Sequence, residues 1–310
     1  MINRLKGPGK KVLIIIPVLL AILLIAFIGR FYITLIWLKA VGYVSVFWRI
    51  LIAQFWTGLF FTALFFLLSY FNFNYARRYI PTVQLGSIEP DESRPEMQFY
   101  KSLQGFQLSN KIVLGFSAAI SLFMGISESV NWEKILIFLN QVSMGIDDPV
   151  FGKDIGFYLF SLPFLEYFRN WLSFAIGLIM LIVVLVYFVK RTIRFDYHKI
   201  HIDPPVKFHI SLLLGAYLLL QSAYFWINSR KILYSTLGAV YGAGYTDIHV
   251  SLLAFRVSAI LCIIAAIVVM IFSRKEDIRL PLVSIVSIVA VYLLLAGFLP
   301  GIVQRVTVSP

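Results

Sequence analysis

Ile112–Ser127 reads IVLGFSAAISLFMGIS, sixteen uncharged residues bounded by Lys111 and Glu128. A helix of that length spans about 24 Å, short of the ~30 Å hydrocarbon core of a bilayer. Its Ser, Gly and Ala content suits close packing against another helix. Whether it counts as a span decides the fold, because it sets which side of the membrane every later loop faces.

The rest of the chain is plainly apolar. Of 310 residues, 60% are hydrophobic and 14% are charged, against about 25% charged in soluble domains. Six further runs are long and apolar enough to cross a bilayer or nearly so: 12–29, 50–71, 170–189, 208–228, 250–272 and 281–299. With 112–127 they predict an all-α fold, a polytopic membrane protein of seven transmembrane helices forming a single transmembrane domain over 1–310. The N-terminal run follows a basic head, as a secretory signal does. It is longer than a signal core and no small-residue cleavage site follows, so it reads as an uncleaved first span.

Lys and Arg decide the orientation and keep the third run. With the N-terminus cytoplasmic and seven spans, 17 of the 27 Lys/Arg lie inside, whereas the 15 acids divide eight inside and seven outside. That is the pattern of a rule on positive residues rather than on net charge. Without the third span, the basic clusters at 190–207 and 274–279 would face outward. The tryptophans agree: Trp37, Trp48, Trp56, Trp132, Trp171 and Trp226 all fall near expected outer helix ends or in outer loops. The net charge of +12 is thereby assigned to membrane topology, and no basic-aromatic motif supports a nucleic-acid partner. Cys262, the one cysteine, lies in an apolar run and forms no disulfide within the chain.

The loops carry the remaining candidates. The first outer loop, 30–49, is apolar and is expected to lie on the membrane or to extend the first helix. The inner loop 72–110 holds the Pro/acid cluster Glu89–Pro95 and reads as a solvated turn. Residues 130–142 (VNWEKILIFLNQV) place Trp132, Ile135, Leu136 and Leu139 at helical spacing, which predicts a short outer interfacial helix. Asp147, Asp148 and Asp154 put three carboxylates in eight residues. Such a cluster suits a hard cation, but the spacing matches no known calcium loop, and Asp148–Pro149, Gly152 and Asp154 read better as turn and helix-cap chemistry. Asp247 and His249, within YGAGYTDIH, form a potential proton-transfer pair or a tight turn ahead of the sixth span. His198 and His201 are spaced for zinc on a helix, which Pro204 and Pro205 oppose. Arg256, six residues into the sixth span, is expected to snorkel outward or pair with Asp247. Gln54 and Gln221 read as hydrogen-bonders between helices. No catalytic or cofactor motif stands out, and no cofactor is expected.

DDPVFGKDIGFYLFSLPFL (147–165), YGAGYTDIHVSLLAFRV (241–257) and LPGIVQRVTVSP (299–310) resemble the uncharacterised protein family 0182, large bacterial multi-pass membrane proteins. The resemblance implies a seven-helix N-terminal region followed by a much larger extracytoplasmic region. It implies no activity and no catalytic residue. The readings it leaves open are an anchor or scaffold for an extracytoplasmic domain or envelope partner, a transporter or channel for an apolar or lipid-like cargo, and an enzyme at the outer interface. In all three the lipid bilayer is the first partner.

Overall fold

The structure is a computed structural model describing residues 9–79, 109–190, 192–196, 199–235, 242–273, 275, 279–303 and 305–306. Helix α1 (Gly9–Ala40) turns at Gly42, whose φ of 84° needs glycine, into α2 (Val44–Arg78). Then come α3 (Asn110–Glu128), a 3₁₀ turn and α4 (Trp132–Leu139). A loop leads to α5 (Leu162–Val189), and a small antiparallel hairpin, β1 (Ile193–Asp196) and β2 (Lys199–Ile202), leads to α6 (Pro204–Lys231). The chain continues through α7 (Leu252–Phe272), α8 (Arg279–Tyr292) and α9 (Leu299–Val303). The hairpin departs from an otherwise helical fold.

Six helical stretches are long and apolar enough to cross a membrane: Val44–Arg78, Asn110–Leu139, Phe157–Val189, Pro204–Tyr234, Asp247–Phe272 and Val283–Val303. That is six, not the seven expected, among the described residues. The missing one, 12–29, falls inside the helix Gly9–Ala40, most of whose side chains in that range are not described. Of the two readings of 30–49, the extension of the first helix holds as far as Ala40.

The decisive third run is helical, longer than its sixteen apolar residues, and long and apolar enough to cross a membrane. Ser109 caps its start by accepting from the Ile112 N–H at 3.3 Å. Glu128 ends the regular α-helix but not the helical stretch: a 3₁₀ turn follows, and the Glu128 carboxylate accepts from the Tyr167 hydroxyl and from Asn131 Nδ2 at 3.0 Å. Helical residues therefore run on to Leu139. The short helix expected at 130–142 is present as α4, which follows α3 through a 3₁₀ turn and packs along α2 and α5.

Two apolar cores result. In the first, α2, α3 and α5 gather around Phe61, Phe65, Trp171, Ile179 and Val183. In the second, α6, α7 and α8 gather around Leu218, Phe225, Cys262, Ala266 and Ile288. Helix α3 approaches α2 where Gly125 meets Gly58: a Cβ on Gly125 would sit 2.5 Å from the Gly58 carbonyl oxygen. Large apolar side chains cover the outside, among them Phe123 at 73%, Phe71 at 64% and Phe55 at 63% exposure. In water each would forgo about 1.5–3 kcal/mol of burial; lipid removes that cost.

Candidate functional site

The α5–α6 seam joins the two cores and carries polar contacts near both ends and around Arg169, with apolar packing of Ala175, Ile179, Val183 and Leu213 between. The helices run antiparallel, so Tyr187 faces His209 at the hairpin end and Glu166 faces Lys231 at the other, which we term the loop end. At the hairpin end the buried His209 ring lies 2.9 Å from the Tyr187 hydroxyl through Nδ1 and 3.0 Å from Asn72 Oδ1 through Nε2. Asn72 in turn donates to the Leu68 carbonyl at 2.7 Å. With the proton on Nε2, the ring donates to Asn72 and accepts the tyrosine hydroxyl, so a neutral His ties α2, α5 and α6 together. One turn further into α5 from Glu166, Arg169 reaches the middle of α6: it donates through Nε to the Leu220 carbonyl at 3.0 Å and through Nη2 to Gln221 Oε1 at 2.8 Å, with its guanidinium over the Tyr224 ring. Near the loop end, Lys231 pairs with Glu166 at 2.7 Å.

At the loop end, residues 143–158 fold into a compact structure built on two carboxylates. Ile155 donates to the Ile146 carbonyl, and Asp147 and Asp154 form an antiparallel bridge. Gly145 (φ 68°) and Gly152 (φ 60°) supply the left-handed positions of the turns. The Asp148 carboxylate accepts the N–H groups of Val150, Phe151 and Lys153 at 2.8, 2.6 and 2.9 Å, and the Tyr158 hydroxyl at 2.7 Å. The Asp154 carboxylate accepts Ser143 Oγ at 2.6 Å and the N–H groups of Met144, Gly145 and Gly156. The Gly156 bond caps the helical turn that begins at Ile155. Asp147 is exposed and makes no side-chain hydrogen bond among the described residues.

The loop is fastened to the last turn of α6 and to the 3₁₀ turn Ile232–Tyr234 that follows it. Tyr234 donates its hydroxyl to the Tyr158 carbonyl at 3.0 Å, and the Arg230 guanidinium lies 4.3 Å from the Phe151 ring centroid. Tyr158, Leu162 and Ile227 form a small third core beneath it. The helix then enters α5 through a π turn at Phe157–Ser161, in which Leu162 donates to the Phe157 carbonyl. Pro163, lacking an N–H, sits at the start of the regular helix.

The second loop candidate is built locally. Asp247 is buried in the first turn ahead of α7 and accepts the Gly244 N–H at 3.1 Å, reaching back as the acidic residue of a capping box does. His249 is exposed, stacked on Tyr245, with Nδ1 3.0 Å from the Tyr245 carbonyl oxygen. Asp247 and His249 are thus each engaged with their own turn. Arg256 is exposed on α7 and makes no ion pair with Asp247 among the described residues, which corrects that expected pairing. No group of three or more His, Cys, Asp or Glu side chains is placed to hold a metal among the described residues. Of the two histidines spaced for zinc, His198 lies outside the described residues, and His201 stands opposite Arg194 in the hairpin.

Sequence reasoning missed the seam. Arg169 falls just before the run expected at 170–189, whereas the helix begins at Leu162 and places it seven residues in, about 10 Å along the axis. Trp171, expected at the interface, is 4% exposed with its ring 4.6 Å from that of Phe61. His209 drew no attention inside an apolar run. Gln221 does bond between helices as expected.

The carboxylates make a pH prediction. Burial pushes the Asp148 carboxyl up, but the Tyr158 hydroxyl and three backbone N–H groups outweigh it and hold its pKa below the ordinary value. The Ser143 hydroxyl, with the N–H groups of Met144, Gly156 and Gly145, draws Asp154 down to about 2. A depressed carboxyl stabilises the fold above its unfolded value of about 3.9 and loses that contribution as pH falls through the folded value. The loop is therefore expected to stay ordered at pH 4 and to loosen toward pH 2. Carboxyl ¹³C NMR should give Asp154 a midpoint of about 2; a midpoint near ~3.9 would count against the cradle.

These features define a class: a helical chain with six stretches suited to crossing a membrane, in two cores joined by a polar seam. The chain belongs to the uncharacterised protein family UPF0182, whose profile matches residues 11–310. It is 31% identical over 287 residues to a UPF0182 protein of Geobacter sp. (strain M21), covering 92% of this chain and 32% of that one. It is 32% identical to a UPF0182 protein of Trichlorobacter lovleyi, over 99% of this chain and 33% of that one. A UPF0182 protein of Thermobifida fusca is 30% identical, over 99% of this chain and 29% of that one. The chain thus spans about a third of the length of these relatives. No solved structure matches it.

Proposed function

We propose that this chain is the membrane-embedded part of a cell-envelope protein, with its N-terminus cytoplasmic and its loop end facing outward, and that it anchors and orients an extracytoplasmic domain or partner. The observation that carries this reading is the contrast between the helix surfaces and the loop end. The surfaces are apolar and suited to lipid. The loop 143–158 is held in one shape by Asp148 and Asp154 and fastened to α6 by Tyr234 and Arg230. A fixed outer platform on a polar-seamed bundle suits presentation better than turnover. The excess of Lys/Arg in the segments assigned inside supports the orientation.

Alkaline phosphatase fused after Pro310 tests it. The fusion is expected to be active, with the protein in the membrane fraction after carbonate washing. A silent phosphatase and an active cytoplasmic reporter at the same position would overturn the orientation.

A second reading, transport of an apolar or lipid-like cargo, draws on a groove of about 860 Å³ between α2, α4 and α5 at the loop end, bordered by Arg49, Trp56 and Phe164. Lipid exchange between vesicle leaflets that speeds up when the protein is reconstituted would favour it over the anchor.

A further inference from the structure

We propose that the groove between α2, α4 and α5 at the loop end seats a membrane phospholipid, with an acyl chain along its walls and the headgroup phosphate on Arg49. The groove holds about 860 Å³, within the ~300–1,000 Å³ of small-molecule sites. Arg49, Ile52, Trp56 and Phe60 recur at helical spacing and form one wall on α2. Leu139 belongs to the α4 wall, which the stacked rings of Phe138 and Phe164, 4.2 Å apart, tie to α5. Trp48 and Trp56 flank Arg49 in sequence and are 52% and 62% exposed. Exposed tryptophans of a membrane helix sit at headgroup level, the depth of lipid phosphates.

Arg49 is the one charged residue lining the groove among the described residues. It is exposed and makes no ion pair or hydrogen bond among them. It stands five residues past Val44, toward the positive end of the α2 dipole, so the helix end gives no reason for a cation there. No acidic side chain lines the groove. The chain has no Asp or Glu before Glu89. Every acid whose side chain is not described, at 89–96, 196 and 276–277, lies in the hairpin or in a segment joined to the hairpin end, away from Arg49. A guanidinium offers N–H donors in a fork that matches phosphate oxygens. An apolar groove closed by one such group is complementary to a phosphate that carries acyl chains. The inference rests on the membrane-embedded reading and is independent of which end faces outward. It shares its groove with the transport reading but needs no movement of lipid, so leaflet exchange reports on transport alone.

Native mass spectrometry of the full chain released from detergent, offered equal dioleoyl phosphatidylglycerol and dioleoylglycerol, tests it. The two probes carry the same chains, and only the first has a phosphate. Phosphatidylglycerol should be retained about tenfold or more over dioleoylglycerol. Arg49→Gln, at an exposed position that leaves the packing intact, should cut that preference about fivefold or more. Lys153→Gln, which removes an exposed cation at the same end outside the groove, should leave it unchanged. Ala53→Trp, which adds a ring on the α2 wall, should reduce retention of both lipids with Arg49 intact. Equal retention of the two lipids, or a Lys153→Gln loss as large as that of Arg49→Gln, would overturn the site. So would retention unaffected by Ala53→Trp. A chain that stays soluble without detergent would overturn the membrane-embedded reading itself, and the site with it.

Discussion

Gly125→Val is expected to destabilise the protein by about 3 kcal/mol or more, whereas Gly115→Val in the same helix should be close to neutral. The two glycines have the same intrinsic cost in a helix, so the contrast isolates packing. A Cβ on Gly125 would lie 2.5 Å from the Gly58 carbonyl oxygen and closer still to Thr62 Oγ1, while a Cβ on Gly115 meets nothing within 4 Å. Thr62 can rotate, but the Gly58 carbonyl is backbone, so α2 and α3 must separate. Close approach of this kind holds helices together in a medium where apolar burial supplies no force between them. Thermal unfolding in detergent, followed by tryptophan fluorescence, reads the difference. Equal midpoints for the two variants would show that the Gly58–Gly125 crossing is not what joins α3 to the bundle.

Asp148→Ala should unfold the loop locally while leaving the helices in place. It removes the acceptor of three backbone N–H groups and of the buried Tyr158 hydroxyl. Losing hydrogen bonds to a carboxylate, with their donors left unpaired, amounts to about 3 kcal/mol. Amide exchange at Val150, Phe151 and Lys153 should then quicken on the order of a hundredfold, and Lys153 should become open to trypsin. Asp147→Ala is the control: its side chain is exposed and makes no hydrogen bond among the described residues, so exchange should hardly change. Equal effects from the two neighbours would mean that charge, rather than the turn geometry of Asp148, orders the loop.

The apolar runs were legible because hydropathy needs only composition: six of the seven expected runs lie in or overlap helical stretches suited to crossing a membrane, which mostly extend beyond them. The third was legible in existence but not in length. Glu128 reads as a terminator until Tyr167, 39 positions away, donates to it. The carboxylates of the loop 143–158 were legible as turn chemistry because Asp–Pro and Gly act locally, and Asp148 and Asp154 bond almost wholly within their own segment. The seam was not legible. Arg169, His209 and Tyr187 are each unremarkable in sequence, and only the antiparallel pairing of α5 with α6 brings them to partners. Trp171 misled for a related reason: a tryptophan is read as interfacial when the helix start is placed too late, and the π turn at Phe157–Ser161 moves that start forward.

The central claim is that the apolar bundle crosses the membrane with residues 143–158 outside and the hairpin end inside. Single cysteines read this most directly. With Cys262 replaced by alanine, Lys153→Cys and Arg78→Cys place a thiol at exposed positions on opposite ends. In intact cells a membrane-impermeant maleimide is expected to label Lys153→Cys and to leave Arg78→Cys unlabelled until the membrane is opened. Labelling of Arg78→Cys alone would invert the topology, and equal labelling of both in intact cells would contradict a membrane-spanning bundle altogether.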